Sequence, residues 1–326
     1  MRDWLVTADD RTGALETGAE IALGAGEATV AVSEPPAESA VVDIASRVET
    51  PAVAAARIAA LPVARWNAHK MDSTLRGNWA HELRARAVAT GRRVLLVPAW
   101  PAMGRTCVGG VVRVHGAPVG VVREHLPEAV PLADLLALEG WLRNGEHFGV
   151  VDVADTEGMH VVARAIADAD LLVAGPAGPI GAAFAARFGR VAPHEPPAVR
   201  GPMVVVCGSA TALSRAQVGR LAAAYPEVLV FTAPEAAGEL DVVVAAELAD
   251  HARPAAATAG TLVIIGGDTT AAVLGDGPRL VGGSVLPGLP WSRDANGGGP
   301  LVVTKAGAFG DVDTLVRLAD LLQPPD

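Results

Sequence analysis

The chain has 326 residues and a mass of 33.1 kDa, with 36 Asp and Glu against 26 Lys and Arg, so its formal net charge is −10. Hydrophobic residues make up 51% of the sequence and charged residues 19%, which predicts a folded protein with a sizeable core and excludes intrinsic disorder. An acidic chain also lacks the surplus of cations that a general nucleic-acid binder needs to neutralise phosphates.

Short β-branched runs alternate with Ala-rich stretches along the chain. The predicted strands are Trp4–Thr7, Thr29–Val32, Ala40–Asp43, Val94–Pro98, Val150–Val153, Leu171–Ala174, Val204–Cys207, Val228–Phe231, Val242–Ala245, Leu262–Ile265 and Leu301–Thr304. The predicted helices are Ala14–Leu23, Pro51–Leu61, Ala80–Thr90, Met159–Ala167, Ile180–Phe188, Ser214–Ala224, Thr270–Leu274 and Asp313–Leu322. Near-continuous apolar strands indicate sheets covered on both faces, and strand–helix alternation predicts parallel βα units. We therefore predict an α/β protein with doubly wound, mainly parallel sheets.

A proline-rich segment, Val191–Pro202, contains four prolines and follows neither helical nor strand periodicity. Segments of this composition favour an extended connector between domains. The sequence therefore predicts two domains, residues 1–195 and residues 196–326, both of ordinary domain size.

The first residues carry acids directly after a short apolar run, and no run of about 18 apolar residues lacks Gly, Pro or a charge. The sequence therefore predicts neither a signal peptide nor a transmembrane helix, and we expect a cytoplasmic protein without a membrane partner. Two cysteines, Cys107 and Cys207, lie far apart and are expected to be buried and reduced.

Candidate chemistry begins directly after the first predicted strand, because parallel sheets bind ligands at the carboxyl ends of their strands. Asp9 and Asp10 follow this strand and precede a helix. Two adjacent carboxylates can bind a cation, accept hydrogen bonds from hydroxyls or act as a general base. An Asp at this position can equally cap the helix, and both interpretations stay open here.

A second candidate is the segment from Lys70 to Asn78, which opens the helix that follows it. It combines two cations, a carboxylate and two hydroxyls, namely Lys70, Arg76, Asp72, Ser73 and Thr74. A helix start offers free N–H groups, and Arg offers a planar fork for a carboxylate or phosphate. The alternative is a polar loop in which a hydroxyl caps the helix. Two further isolated cations, Arg47 and Arg105, follow other predicted strands.

Three predicted strands of the C-terminal half end in glycine-containing polar turns. The residues at these turns that point to a phosphate-bearing ligand are Ser209, Gly266, Gly267, Asp268, Thr269, Lys305 and Gly307. Glycine lets backbone N–H groups approach phosphate oxygens, and a lysine can neutralise one of them. Asp268 could hold Mg²⁺ directly or through water. Such turns also serve packing, so the prediction depends on finding three of them in one domain.

Several other classes lack their characteristic motifs. The chain has no G-x-x-x-x-G-K-[ST] pattern and no G-x-G-x-x-G after the first strand, which argues against P-loop NTPases and dinucleotide dehydrogenases. Its eight histidines show no paired spacing, which makes a zinc site unexpected. No G-x-S-x-G elbow is present for a hydrolase triad.

Taken together, these motifs resemble the four-carbon acid sugar kinase family nearly from end to end. The resemblance is carried by ADDRTGALETG from Ala8, KMDSTLRGN from Lys70, PAWPAMGRTCVGG from Pro98, CGSATALSRAQ from Cys207, GGDTTAAVL from Gly266, PGLPWSR from Pro287 and KAGAFGD from Lys305. It implies a sugar-binding N-terminal domain and a nucleotide-binding C-terminal domain. The sequence departs from the family pattern at Arg11, where an apolar residue is usual, and at Glu16, where Asp is typical; the region after Pro118 is short.

The resemblance implies ATP-dependent phosphorylation of the terminal hydroxyl of a four-carbon sugar acid such as a threonate, an erythronate or an oxo-tetronate. The residues expected to line the sugar-acid pocket are Asp9, Asp10, Arg47, Lys70, Asp72, Ser73, Thr74 and Arg76. Ser209, the Gly266–Thr269 turn and Gly307 are expected to contact ATP, with the active site in the cleft between the domains.

For the reaction itself, the residues supply positioning and charge neutralisation, which phosphoryl transfer needs most. Arg47, Lys70 and Arg76 are expected to hold the substrate carboxylate, and Asp72 or Asp10 to orient or deprotonate the hydroxyl. Lys305 and Mg²⁺ are expected to balance phosphate charge.

Two alternatives remain: a catalytically silent sugar-acid or nucleotide sensor on the same scaffold, and an NAD(P)-linked oxidoreductase. The expected partners of the leading hypothesis are a small-molecule sugar acid and ATP. A homodimer is compatible with the chain, since it is the commonest soluble assembly.

Overall fold

Buried parallel strands alternate with helices in the computed structural model, which describes residues 2–144, 146–192, 194–234, 242–307 and 309–322. The chain divides into two units, 1–192 and 193–326. This division falls inside the proline-rich connector, of which Pro193 lies outside the described residues. The roles that the sequence assigns to the two domains stay a prediction at this point.

The first unit contains a large sheet, a small sheet and the helices around them. Its strands are β1 Trp4–Ala8, β2 Ala28–Val32, β3 Ala40–Asp43, β4 Trp66–Lys70, β5 Arg93–Leu96, β6 Arg105–Val108, β7 Val111–Val114, β8 Ala117–Val121, β9 Val130–Leu132, β10 Phe148–Val151 and β11 Leu171–Gly175. Its helices are α1 Arg11–Ala25, α2 Pro51–Ala59, α3 Trp79–Thr90, α4 Val122–His125, α5 Leu135–Asn144, α6 Thr156–Ala165 and α7 Ala177–Phe188, with a short 3-10 helix at Pro101–Met103.

The large sheet of the first unit runs in the order β2-β3-β1-β4-β11-β5-β10-β9, with every pairing parallel. The chain first builds β3 and β2 on one side of β1 and then crosses to β4 on the other side. This reversal is a topological switch point, where open α/β sheets form their ligand crevice. The strands β6, β7 and β8 form a separate antiparallel sheet.

The second unit is smaller and mixed in strand direction. Its strands are β12 Met203–Cys207, β13 Leu229–Thr232, β14 Thr261–Ile265, β15 Arg279–Leu286, β16 Leu289–Asp294 and β17 Leu301–Lys305, and its helices are α8 Ala212–Ala224, α9 Val242–Thr258, α10 Gly267–Leu274 and α11 Thr314–Leu322. The order is β13-β12-β14-β17-β16-β15; the first four strands are parallel, and β16 pairs antiparallel with both β15 and β17. The chain reverses direction about β12, which places a second switch point between β12 and β14.

Both faces of the β12 region are buried, as its apolar run predicts. Val205 and Cys207 pack in one core cluster with residues of α8 and α11, whereas Val204 and Val206 pack in another with residues of α9. Successive side chains of a strand point to opposite faces, so a strand covered by helices on both sides is apolar throughout. These features confirm the α/β class with mainly parallel sheets.

The predicted strand Val242–Ala245 is wrong, since these residues begin helix α9. The buried residues of α9 are Ala245, Leu248, Ala249 and Ala252, which follow the helical spacing. Three consecutive valines suggested a strand, but the longer helical period decides the structure. Strand β4 and the antiparallel pair β15 and β16 were not predicted.

No helix of the described ranges is long and apolar enough to cross a membrane.

Candidate functional site

The predicted acids and cations of the first unit lie at the carboxyl ends of three neighbouring strands. Ala8, the last residue of β1, is in register with Asp43 at the end of β3 and with Lys70 at the end of β4. The turns that follow these strands therefore meet at one edge of the sheet. We call the ionisable residues gathered there, namely Asp9, Asp10, Arg47, Lys70, Asp72 and Arg76, the charged cluster.

Arg47 is held by the carboxylates that follow β1. Its Nε and Nη2 donate to the two oxygens of Asp9 at 2.8 and 2.9 Å, and its Nη1 donates to Asp10 Oδ2 at 2.9 Å. Its Nη2 also lies 3.6 Å from Asp72 Oδ2. Burial alone would lower the pKa of the Arg47 guanidinium, but the charges of Asp10 and Asp9 raise it well above its usual value. Arg47 is thus a fixed cation that connects three carboxylates.

Asp10 also caps helix α1, which confirms the capping interpretation, while its role towards a ligand stays a prediction. Its Oδ1 accepts a hydrogen bond from Gly13 N at 2.9 Å, while Oδ2 accepts from Arg47. A carboxylate at a helix N-terminus is favoured by the unpaired N–H groups and by the helix dipole.

Asp72 organises the turn between β4 and α3. Its Oδ1 accepts hydrogen bonds from the backbone N–H and hydroxyl of Thr74 and from Arg76 Nε, and its Oδ2 accepts from Arg76 Nη2 at 2.8 Å. Burial would raise the pKa of Asp72, but the Arg76 hydrogen bonds and the charges of Arg47 and Lys70 hold it well below its usual range. Asp72 is therefore a permanently ionised carboxylate that suits orientation of a ligand better than proton transfer. Ser73 and Thr74 are partly buried in this turn, and the Arg76 side chain is 65% exposed.

Lys70 differs from the other members of the cluster because its side chain is largely buried while its ammonium has no close partner among the described residues. The residue is 4% exposed. Within the part of the chain that the structure describes, its Nζ donates no hydrogen bond and lies in no ion pair shorter than 4.0 Å. Gly13 makes room for it, since a Cβ at that glycine would lie 2.7 Å from Lys70 Nζ. A buried cation without a partner is costly to a protein unless a ligand supplies the anion.

Glu16 belongs to the same site, although it entered the sequence analysis only as a departure from the family pattern. It lies one helical turn beyond Gly13 on α1, which places it on the face that meets Lys70. Burial raises the pKa of Glu16 to about 7, with Lys70 and Arg105 opposing and Asp10 adding to the shift. The three-residue spacing from Gly13 is the sequence signal that could have placed Glu16 here.

Arg11, the other departure, is also accounted for by the fold. Its Nε donates to Asp43 Oδ2 at 3.0 Å, and both side chains are buried. Burial raises the pKa of Asp43 to about 6, against the lowering effect of Arg11. Arg11 thus stands where an apolar residue is usual because it forms a buried ion pair with Asp43.

In the second unit, the three predicted glycine turns converge at the ends of β12, β14 and β17. A Cβ at Gly208 would lie 1.9 Å from Thr269 Oγ1, and a Cβ at Gly307 would lie 2.3 Å from Ser209 Oγ. Gly266 has φ +114°, a conformation that favours glycine. We call Gly208, Ser209, Gly266, Thr269 and Gly307 the glycine–hydroxyl cluster.

Hydroxyl hydrogen bonds hold these turns together. Ser209 Oγ lies 3.1 Å from Thr211 Oγ1, and Ser214 Oγ donates to the carbonyl of Gly307 at 2.7 Å. Thr269 Oγ1 is buried and has no hydrogen-bond partner among the described residues. It lies in the first turn of α10, whose free N–H groups and dipole favour an anion. Gly267 is the first residue of the same helix.

Lys305 is fully buried, and its Nζ donates to the carbonyls of Ala306 and Gly307 at 2.9 and 3.1 Å. Burial lowers its pKa to about 8. Asp268 is exposed in the first turn of α10. No group of three or more His, Cys, Asp or Glu placed to hold a metal occurs among the described residues. A single exposed carboxylate fits Mg²⁺ only together with phosphate oxygens and waters, so the magnesium role of Asp268 stays a prediction.

A cavity of about 360 Å³ opens beside β13, the strand that neighbours β12 of the glycine–hydroxyl cluster. It is lined by residues of β13 and α9, namely Val230, Phe231, Thr232, Ala233, Pro234, Val244, Glu247, Leu248 and His251. Ala233 N donates to the carbonyl of Cys207 at 3.1 Å, which ties the cavity wall to the strand that leads into Ser209. Helix α9 also packs against α10. The cavity therefore lies on the face of the sheet from which α10 begins.

Comparison with known protein families finds one domain model in each unit. A model of a sugar-binding N-terminal domain matches residues 4–135, and a model of a nucleotide-binding C-terminal domain matches residues 232–315. The first range contains the charged cluster, whereas the second contains Gly266, Thr269 and Gly307 of the glycine–hydroxyl cluster.

Two curated relatives align over nearly the whole chain. A D-threonate kinase from Cupriavidus necator is 28% identical over 402 positions, covering 94% of this chain and 95% of the relative. A D-threonate kinase from Bordetella bronchiseptica is 29% identical over 399 positions, covering 98% of this chain and 97% of the relative. Because both alignments are longer than 326 positions, each relative carries insertions that this chain lacks.

A solved structure shares the fold. A Salmonella typhimurium LT2 protein, provisionally named a tRNA synthase, matches with a TM-score of 0.77 over 99% of this chain and 100% of that chain, at 18% identity. At this identity the match shows the common fold alone.

Proposed function

Because the chain belongs to the four-carbon acid sugar kinase family, we propose that it phosphorylates the terminal hydroxyl of a four-carbon sugar acid with ATP. The substrate class is that of the threonates, erythronates and oxo-tetronates, and the relatives named D-threonate kinase make D-threonate the first compound to test. The observation that carries the proposal is Lys70, a residue only 4% exposed whose ammonium has no hydrogen-bond or ion-pair partner among the described residues, inside a cluster of three carboxylates and two further cations.

The charged cluster suits a sugar acid because such a ligand needs donors for its carboxylate and acceptors for its hydroxyls. Lys70 and the exposed Arg76 supply charged donors. Asp9, Asp10 and Asp72 supply acceptors, and Ser73 and Thr74 add hydroxyls. We assign to Arg47 the role of fixing the carboxylates, since three of its N–H groups already donate to Asp9 and Asp10.

Proton transfer needs a group whose pKa lies near the working pH. Asp72 has its pKa held far below neutrality and therefore suits orientation of the hydroxyl. The pKa of about 7 makes Glu16 the carboxylate that suits proton removal. This proposal adds Glu16 to Asp10 and Asp72, the two candidates for the base that the sequence suggests.

The glycine–hydroxyl cluster suits the phosphates of ATP, because converging backbone N–H groups and a helix start stabilise negative charge. We place the adenine base of ATP in the cavity beside β13. We place the phosphates of ATP at Ser209, Gly266, Gly267, Thr269 and Gly307. Asp268 would hold Mg²⁺, which supplies charge neutralisation on the phosphates when it is bound. Lys305 contributes by shaping the turn through its hydrogen bonds to Ala306 and Gly307.

The direct test is coupled ADP release with ATP, Mg²⁺ and a panel of threonates, erythronates and oxo-tetronates. We expect turnover that depends on one member of the panel and falls steeply in Asp72→Asn. Calorimetric binding of a tetronate or of ATP without turnover would overturn the kinase proposal and favour the silent sensor. Binding of a nicotinamide cofactor would favour the oxidoreductase.

A further inference from the structure

A buried polar network lies beneath the charged cluster and contains none of its members. Thr7, Ser46, His69 and Glu82 are all 0% exposed. Ser46 Oγ donates to Glu82 Oε1 at 2.5 Å, and His69 Nε2 lies 3.0 Å from Glu82 Oε2. The other ring nitrogen of His69 lies 2.9 Å from Thr7 Oγ1. We call these four residues the Glu82 network.

The carboxylate of Glu82 is ionised within this network. Burial would raise its pKa, but His69 and the hydrogen bond from Ser46 lower it below its usual value. His69 Nε2 lies 3.0 Å from this carboxylate without forming a hydrogen bond to it, so the two groups are in close contact only. Burying a carboxylate in the core contributes little net stability, because the cost of its desolvation offsets the attraction of its neighbours. Its presence in the core therefore points to a role other than stability.

The position of the network in the chain indicates that role. Ser46 directly precedes Arg47, and His69 directly precedes Lys70. Glu82, on α3, thus contacts the residues that precede two cations of the charged cluster, Arg47 and Lys70. These two residues come from different segments, the turn after β3 and strand β4, that no local sequence pattern brings together.

The turn that carries Arg47 is fixed from two further sides. The backbone N–H groups of Ser46 and Arg47 donate to the carbonyl of Asp9 at 3.1 and 3.2 Å. Asn78 Nδ2 donates to the carbonyls of Ser46 and Glu49 at 2.9 and 2.8 Å. The hydroxyl of Ser46 donates a hydrogen bond to Glu82, which therefore holds the same turn from a third side.

We propose that Glu82 is a positioning residue, which sets the placement of Arg47 and Lys70 relative to each other through Ser46 and His69. This inference rests on the proposed function for its kinetic consequence and on geometry alone for its structural one. Without the carboxylate, Ser46 and His69 lose a shared partner, and the two cations lose their common reference. Displacements of about 1 Å in such groups cost roughly a hundredfold in rate.

The chain offers a matched control on the same helix. Arg86, one turn beyond Glu82, is equally buried, but its guanidinium donates to the carbonyls of Leu61 and Pro62 and to Asn67 Oδ1. These groups lie before β4 or in its first half, away from Lys70. Arg86→Gln therefore removes a buried charge from α3 without touching the neighbours of either cation.

We expect Glu82→Gln to raise KM for the accepted tetronate roughly tenfold to a hundredfold, with KM for ATP unchanged. Arg86→Gln is expected to lower Tm at least as much and to leave both KM values unchanged. Ser46→Ala removes one hydrogen bond of the network and should shift KM in the same direction by a smaller factor, which keeps the test open if Glu82→Gln does not fold. An unchanged tetronate KM in Glu82→Gln, or an equal rise in Arg86→Gln, would overturn the proposal.

Crystal structures of wild type and Glu82→Gln decide the matter independently of turnover. We expect the guanidinium of Arg47 or the ammonium of Lys70 to move by about 1 Å or more; unmoved side chains would contradict the positioning role. If wild type turns over no tetronate, the proposed function fails, while this structural comparison still tests Glu82.

Discussion

The two lysines of the chain invite comparison, because each lies in one unit and each is the last residue of a buried parallel strand. Lys70 ends β4 with an ammonium that has no close partner among the described residues. Lys305 ends β17 with an ammonium that donates to two carbonyls of its own turn. The same residue type at the same place in a βα unit is thus left available in one unit and used for the architecture in the other.

The surroundings differ in the same sense. The charged cluster presents side chains, with Asp9, Asp10 and Asp72 against Arg47, Lys70 and Arg76. The glycine–hydroxyl cluster presents backbone groups and hydroxyls that close packing brings together. A ligand with several hydroxyls and one carboxylate needs both donors and acceptors, whereas phosphate groups need mainly donors. The contrast therefore matches a sugar acid in the first unit and a nucleotide in the second.

The strongest test of this contrast is Lys70→Met, which keeps the length of the side chain and removes its charge. We expect kcat/KM for the tetronate to fall roughly a hundredfold, since removal of one partner of a buried charge pair costs on the order of 2–5 kcal/mol. Tm should change little, because the ammonium makes no hydrogen bond in the described chain. Coupled ADP release and thermal unfolding measure the two effects. Activity close to wild type would show that Lys70 does not contact the substrate.

A second test measures the pH profile of kcat/KM for Glu16→Gln beside that of wild type. If Glu16 removes the proton, wild-type kcat/KM falls below a pH of about 7, the value to which burial raises the pKa of this carboxyl. The variant should lose about two orders of magnitude near pH 8 and show no such limb.

The stability of the same variant supplies the control for this assignment. The folded protein holds a proton on Glu16 from pH 4.5 up to about 7, whereas the unfolded chain releases it near pH 4.5. The folded state therefore binds more protons in that window, and wild-type stability falls as the pH rises through it, by up to about 1.4 kcal/mol per pH unit. Urea unfolding of Glu16→Gln should lack this contribution. If kcat/KM of the variant still fell below a pH of about 7, the base would be another residue.

The close packing of the second unit is tested by Gly208→Ala. The added Cβ would meet the buried hydroxyl of Thr269 at 1.9 Å, so the turns after β12 and β14 must separate. We expect KM for ATP to rise about tenfold and the free energy of unfolding to fall by roughly 1–3 kcal/mol, as in other overpacked sites. Gly219→Ala is the matched control, because that glycine lies inside α8 with open space around it. Its free energy of unfolding should rise by about 0.5–1 kcal/mol, because alanine favours a helix more than glycine does. Equal KM values for ATP in both variants would contradict the proposed phosphate site.

The smallest effect concerns the second lysine. Burial lowers the pKa of Lys305 from 10.5 to about 8, so between these values the unfolded chain binds more protons than the folded one. Wild-type stability should therefore gain up to about 1.4 kcal/mol per pH unit as the pH rises from 8 towards 10.5. Lys305→Met should lack this gain in urea titrations. An identical slope in the variant would show that the buried ammonium does not titrate in this range.

The sequence predicts the parts of the site that are local in the chain. The pair Asp9–Asp10, the segment from Lys70 to Arg76 and the three glycine turns all follow strands, and each is recognisable from residues within ten positions. Strand β4 escapes prediction because Asn67 and His69 are polar yet fully buried. Their partners, Arg86 for Asn67 and Glu82 for His69, come from α3 and leave no mark on the local pattern.

The antiparallel pair in the second unit escapes prediction for a related reason. Strand β15 contains two glycines, which weaken any strand signal. In the fold, Trp291 of β16 occupies the space over Gly282, where a Cβ would lie 2.3 Å from the indole. Gly282 therefore leaves the space that the indole of Trp291 needs. This requirement is evident only when the two strands are paired.

The close balance of charge in the charged cluster has a consequence for how quickly a ligand arrives. Three carboxylates face three cations, so the cluster projects almost no field beyond its own dimensions, on a chain whose net charge repels anions. Long-range steering, which accelerates association and is weakened by ionic strength, has little to act on here. The encounter rate of an anionic sugar acid should therefore gain no electrostatic acceleration and should not fall as salt is added, and selectivity should reside in how long the ligand stays bound.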